Sequence, residues 1–185
     1  MMSMGDTRGM KIAVVAHCIL NQNAVAPGLA SHKGTVESLV NLLVDKGYGI
    51  VQLPCPEATY LGMNRWWMTK NQYDTPNYRG HCRHILEPTL TLLQELTGKG
   101  AQYIVIGVKG SPSCGIYTTT RGEWRGDPST ATGTQTTKAS EPGVFMEELF
   151  ALIKARGIKE PNKVLEVSHE EISQKGLPRE TASEL

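Results

Sequence analysis

The sequence predicts a single three-layer α/β domain with a short, mostly parallel sheet, and three observations carry that reading. Short apolar runs at Lys11–His17, Gly49–Pro54, Tyr103–Val108 and Val164–Val167 have the pattern of strands buried on both faces. Segments with apolar residues at helical spacing separate them, and that alternation implies parallel strands joined by right-handed crossovers. At 185 residues without an internal repeat, the chain has room for one domain with a substantial core.

Taken in order, residues 1–9 are polar and read as a disordered lead. The domain spans 10–175, and 176–185 reads as a flexible tail. The run Lys11–His17 is the first strand, with Cys18 directly after it. Ile19–Lys33, rich in Asn and Gln and broken by Pro27 and Gly28, sustains neither period and reads as a loop. Val36, Leu39, Val40 and Leu43 fall at helical spacing, with Gly47 placed as a C-terminal cap.

The second strand ends at Pro54 and is followed by Cys55-Pro56-Glu57. Ala58 to about Asn77 reads as loop, and its Arg65-Trp66-Trp67-Met68 run suggests a pocket wall. Ile85, Leu86, Leu90, Leu93 and Leu96 mark a helix that Pro88 kinks or restarts. The third strand then runs into Ser111-Pro112-Ser113-Cys114-Gly115. Ile116–Ser140 is crowded with Thr and Gly and has the character of a lid. Ser140 is placed to cap a helix carrying Phe145, Met146, Leu149, Leu152 and Ile153, which ends near Gly157. After the fourth strand, Ser168-x-x-Glu171 matches a capping box. The whole is of the Rossmann-like or flavodoxin-like kind.

Composition narrows the function. A formal charge of +1 with no basic stripe argues against a nucleic-acid partner and against an anionic membrane surface. No apolar stretch reaches transmembrane length, and the start lacks the apolar core of a signal peptide. The expectation is a cytoplasmic protein acting on a small molecule, and a homodimer is compatible with it. Four cysteines in such a chain point to metal or catalysis rather than to disulfides.

Three of them, Cys18, Cys55 and Cys114, each follow a strand, and in a parallel sheet all carboxyl ends share one edge, where ligands collect. No pair has the close spacing of a zinc ribbon or a thioredoxin-type motif. Three thiolates from separate strand ends can hold an iron–sulfur cluster and leave one iron open. Cys82, flanked by His81 and His84, is the available fourth cysteine, but it precedes a helix rather than following a strand, which favours packing. Strand alternation turns His17 away from the side that Cys18 faces. Two other readings remain open: a cysteine-nucleophile hydrolase or transferase, and a non-catalytic metal-binding module. Glycine-rich dinucleotide and phosphate-loop signatures are missing after the first strand.

Cys18-Ile19-Leu20, Cys55-Pro56-Glu57 and Ser111-Pro112-Ser113-Cys114-Gly115, each after a strand, resemble the thiouracil desulfidase family of small iron–sulfur proteins, as a divergent subgroup. The resemblance covers about residues 11–118. It implies a [4Fe-4S] cluster on Cys18, Cys55 and Cys114, whose open iron takes the sulfur of a thiocarbonyl substrate such as a thiolated nucleobase. Water then replaces sulfur without redox change, and hydrosulfide leaves through that iron. Glu57, two residues from a ligand, is the expected general acid or base. Ser111 and Ser113 are candidates for hydrogen bonds to substrate or cluster sulfides, with turn stabilisation as the alternative. Trp66, Trp67 and Trp124 could stack a heterocycle, and Asn21 is a further candidate for substrate contact.

Overall fold

The computed structural model describes residues 5–122 and 136–185. The four apolar runs become β1 (Lys11–Val15), β2 (Gly49–Gln52), β3 (Gln102–Val108) and β6 (Lys163–Val167), while β4 (Thr119–Arg121) and β5 (Thr137–Ala139) form a separate antiparallel ribbon. In β1 and β3, Ala13, Val14, Val15, Tyr103, Val105 and Ile106 are wholly excluded from solvent. Burial on both faces is why these runs lack polar alternation. Each such aliphatic side chain contributes about 1.5–3 kcal/mol of hydrophobic stabilisation.

The sheet order is β2-β1-β3-β6, and every pair in it is parallel. The chain steps from β1 outward to β2 and then crosses back to β3, so its direction of travel reverses between β1 and β3. That reversal opens a crevice beyond the carboxyl ends of those two strands. The elements joining the strands are α2 (Glu37–Asp45), α5 (Pro76–Gly98) and α6 (Val144–Ala155). Right-handed crossovers put α2 on one face and α5 with α6 on the other, and α5 packs on α6. Three layers result, as the sequence implies.

Several local expectations are corrected. The loop expected after β1 begins with a short helix, α1 (His17–Leu20), and a 3-10 turn at Gln22–Ala24. Two short helices, α3 (Pro56–Leu61) and α4 (Lys70–Tyr73), interrupt the loop expected at 58–77. Pro56 in the first turn of α3 and the Thr69-x-x-Gln72 spacing, whose Gln72 carboxamide accepts from the Thr69 amide at 2.9 Å, are the signals for them. Helix α5 starts at Pro76, so Cys82 lies inside it and is fully buried in the core. It runs on through Pro88, which lies on the exposed side of the helix while Leu86 and Leu90 are buried. The cap of α6 is Gly143, not Ser140. Of the capping box expected before α7 (His169–Lys175), one half forms: the Glu171 amide donates to Ser168 Oγ at 3.2 Å, while the Glu171 carboxylate pairs with Lys109 Nζ. The expected tail forms α8 (Arg179–Glu184), flanked by Leu177 and Leu185, which pack against the core.

Candidate metal centre

The turn after β3 is built from its own backbone outward. Ser111 Oγ accepts from the amides of Cys114 at 2.9 Å and Ser113 at 3.3 Å, and the Val108 amide donates to the Cys114 carbonyl at 2.8 Å. Beyond it, one Glu166 carboxylate oxygen takes the amides of Ile116, Tyr117 and Thr118 at 2.8–3.0 Å. Threonines of the expected lid also hold the turn: Thr119 Oγ1 donates to the Ser111 carbonyl and Thr120 Oγ1 to that of Gly110. Residues 116–122 are therefore scaffold for Cys114. The remainder of the expected lid, with Trp124, lies largely outside the described residues.

Helix α6 closes the turn from below. Its first amides, at Val144, Phe145 and Met146, donate to the carbonyls of Pro112 and Ser113 at 3.0–3.2 Å, and the Gly143 amide donates to Gly115. A Cβ on Gly143 would stand 2.5 Å from the Ser113 carbonyl oxygen and 2.9 Å from the Cys114 amide. Gly143→Ala is therefore expected to displace the Cys114 turn and to cost about 1–3 kcal/mol of stability, read as a lowered unfolding midpoint in denaturant.

Cys18, Cys55 and Cys114 line one cavity of about 470 Å³ at the carboxyl edge of the sheet, which also takes in His17, Glu57, Arg65, Trp66, Trp67 and Ser111. Each thiol arrives differently. Cys18 is in α1, Cys114 is on the turn after β3, and Cys55 caps α3, where its Sγ accepts the Ala58 amide at 3.4 Å. Burial pushes all three thiols above the ordinary range, and the charge of Glu57 adds to each. Among the described residues, no three His, Cys, Asp or Glu side chains close on a point that a single ion would occupy. Three thiols on one cavity wall could hold a multi-iron group that takes one thiolate per iron.

The other expected residues divide. Glu57 faces the cavity, and Arg65 Nε donates to its carboxylate at 3.1 Å. The Arg65 side chain is 2% exposed and also reaches the carbonyls of Ala24 and Gly62, so this guanidinium ties Glu57 to the turn after Cys18. Trp66 and Trp67 form part of the cavity's outer wall and stay half exposed, with Trp67 Nε1 donating to the Pro27 carbonyl at 2.9 Å. Ser113 is fully buried, and its hydroxyl pairs with that of Tyr78 at 2.8 Å, away from the cavity. Asn21 spends its side chain on Asn23, capping the 3-10 turn, and does not line the cavity. His17, expected to face away from Cys18, lines the cavity with it. The strand has already ended there, so helical geometry rather than alternation sets its direction.

One residue was not singled out at all. His169, at the start of α7, lines the cavity, and its Nε2 lies 3.8 Å from Cys18 Sγ. Burial, with the charge of His32 adding, lowers its pKa to about 4. The Ser168-x-x-Glu171 pattern before it signals a helix but says nothing of a cavity.

A family described as "Putative 2-thiouracil desulfurase" matches residues 10–177. The chain belongs to this family. It is 44% identical over 110 residues to an uncharacterised protein, MJ0003, of Methanocaldococcus jannaschii, a match covering 60% of this chain and 70% of that one. Among solved structures, the [4Fe-4S]-dependent thiouracil desulfidase TudS is similar in fold, with a TM-score of 0.51 and 19% identity, covering 95% of this chain and 99% of that one. Its likeness across nearly the whole chain bears out the three-layer α/β architecture. Among the described residues, no helix is long and apolar enough to cross a membrane.

Proposed function

We propose that this member of the 2-thiouracil desulfurase family is a desulfidase that carries a [4Fe-4S] cluster on Cys18, Cys55 and Cys114 and replaces the sulfur of a small thiocarbonyl compound with oxygen. The observation that carries the reading is the meeting of three thiols, from three separate strand ends, at one cavity. The donor set fits the group, since cysteine is the usual ligand of such clusters. When bound, the cluster supplies an open iron, a soft Lewis acid matched to the substrate's sulfur.

The chain's own residues supply the rest. Glu57, at the cavity wall and oriented by Arg65, accepts a proton from the attacking water, so that oxygen bonds to the thiocarbonyl carbon. The proton held by Glu57 passes to the sulfur, the carbon–sulfur bond breaks with sulfur leaving as hydrosulfide, and the hydroxyl proton is released to solvent as the new carbonyl forms. No oxidant or reductant enters the balance. Trp66 and Trp67 offer aromatic faces to a flat heterocycle at the mouth. A cysteine nucleophile is less well supported, because a reactive thiol needs a depressed pKa and all three here are raised.

The experiment is anaerobic reconstitution with iron and sulfide, followed by incubation with 2-thiouracil. Visible absorbance with about four irons per chain, and uracil and hydrosulfide released in equal amounts, are expected. A loaded chain that leaves free thiolated bases untouched but desulfurises thiolated RNA would move the substrate to nucleic acid.

A further inference from the structure

We infer that Gln22 and His169 form a fixed relay that donates an N–H from His169 Nε2 to the sulfur of Cys18, making His169 a positioning residue for that ligand. The inference rests on the proposed cluster but concerns groups whose geometry is already present in the chain. Gln22 is 1% exposed, and its amide can be oriented in only one way. The Ser31 backbone amide, which can only donate, lies 3.1 Å from Gln22 Oε1. The Cys18 carbonyl, which can only accept, lies 2.8 Å from Gln22 Nε2. Gln22 Nε2 therefore presents its second hydrogen to His169 Nδ1, also at 2.8 Å.

That contact selects the tautomer. A neutral imidazole has one N–H and one lone pair. With the Nδ1 lone pair engaged by Gln22, the hydrogen must sit on Nε2, which lies 3.8 Å from Cys18 Sγ. The sulfur is then the acceptor. The relay is also braced from behind: His32 Nε2 lies 3.1 Å from the His169 carbonyl, and Ser173 Oγ donates to the Ser31 carbonyl at 3.0 Å. Both contacts lock α7 to the loop that carries Gln22.

A hydrogen bond to a ligating thiolate favours its charged form and is one of the levers that set cluster potential. Removing it is expected to loosen the iron nearest Cys18 and to make the reduced, more negative cluster harder to form. Two variants, each compared with the wild type, separate this role from mere packing. His169→Phe keeps a ring but has no N–H; His169→Gln offers an amide N–H of similar reach.

After anaerobic loading, His169→Phe should lose iron to a chelator about tenfold faster than wild type or more, and its midpoint potential should move negative. His169→Gln should lie close to wild type in both. In the metal-free chain, nitrogen-detected NMR of His169 should show the Nε2–H tautomer. A His169→Phe protein that loads normally, holds iron as long as wild type and keeps its potential overturns the inference, as does an Nδ1–H tautomer. Those outcomes leave the proposed function standing, whereas a wild-type chain that takes up no cluster removes both.

Discussion

Replacing Cys18, Cys55 or Cys114 singly by serine is expected to abolish cluster loading, whereas Cys82→Ser should load like the wild type. Each of the three sits at its own strand end and faces the shared cavity, so no neighbouring thiol can stand in for a missing one. Serine is a hard oxygen donor and a poor partner for iron in a sulfide-rich group. Cys82 is fully buried inside α5 among core side chains and does not reach the cavity. Visible absorbance and iron content after anaerobic reconstitution decide the matter. Full iron content in any of the three serine variants would show that the trio is misassigned.

The same thiols give the loading a pH dependence whose sign can be worked out. Burial raises all three above the free-thiol range, so they are protonated at neutral pH before loading. Thiolates are the ligands, so loading expels those protons and strengthens as pH rises. Stability of the metal-free fold runs the other way. A thiol pKa raised in the folded state contributes stability that is full below the unfolded value, about 8.5, and is lost as pH rises through the folded value. Metal-free protein should therefore weaken above that range while iron uptake improves. Unfolding midpoints and iron uptake measured across pH 7–10 on the same preparation, roughly spanning that thiol range, check both signs.

The sheet and the cysteine trio were legible in the sequence because both depend on signals that survive without tertiary context. Apolar β-branched runs mark buried strands, and parallel topology alone carries Cys18, Cys55 and Cys114 to one edge. What was not legible was set by contacts distant in sequence. Ser113 and Ser111 look equivalent in the motif, yet Tyr78 on α5 draws one hydroxyl inward, while the other holds the Cys114 amide at the cavity. Gly143 replaces Ser140 as a cap because the turn it meets leaves no room for a Cβ. His17 was misplaced by one error of period, a helical turn read as strand. His169 lies 151 residues from Cys18, and no local pattern reports a pairing at that distance. Short helices such as α3 and α4 hold too few residues to show a period, so only their caps betray them.

Glu57→Gln should cut desulfidation by about 10²–10⁴-fold, the range for loss of a general acid or base, with iron content unchanged. The amide is nearly isosteric, and its oxygen can still accept from Arg65 Nε, which holds the carboxylate at 3.1 Å. It cannot, however, take a proton from water. Glu57→Ala is a different experiment. It strands the Arg65 guanidinium, 2% exposed, without its counter-charge, at a cost on the order of 3 kcal/mol. Lost activity there would mix catalysis with a displaced turn after Cys18, since Arg65 also bonds the Ala24 carbonyl. Burial and the charge of Glu57 hold the Tyr73 and Tyr78 phenols protonated, so neither competes as base. The comparison to make is turnover of 2-thiouracil per loaded cluster, with unfolding midpoints for both variants. If Glu57→Gln turns over at the wild-type rate, Glu57 only anchors Arg65, and the proton moves by another route through the cavity, whose wall also carries His17.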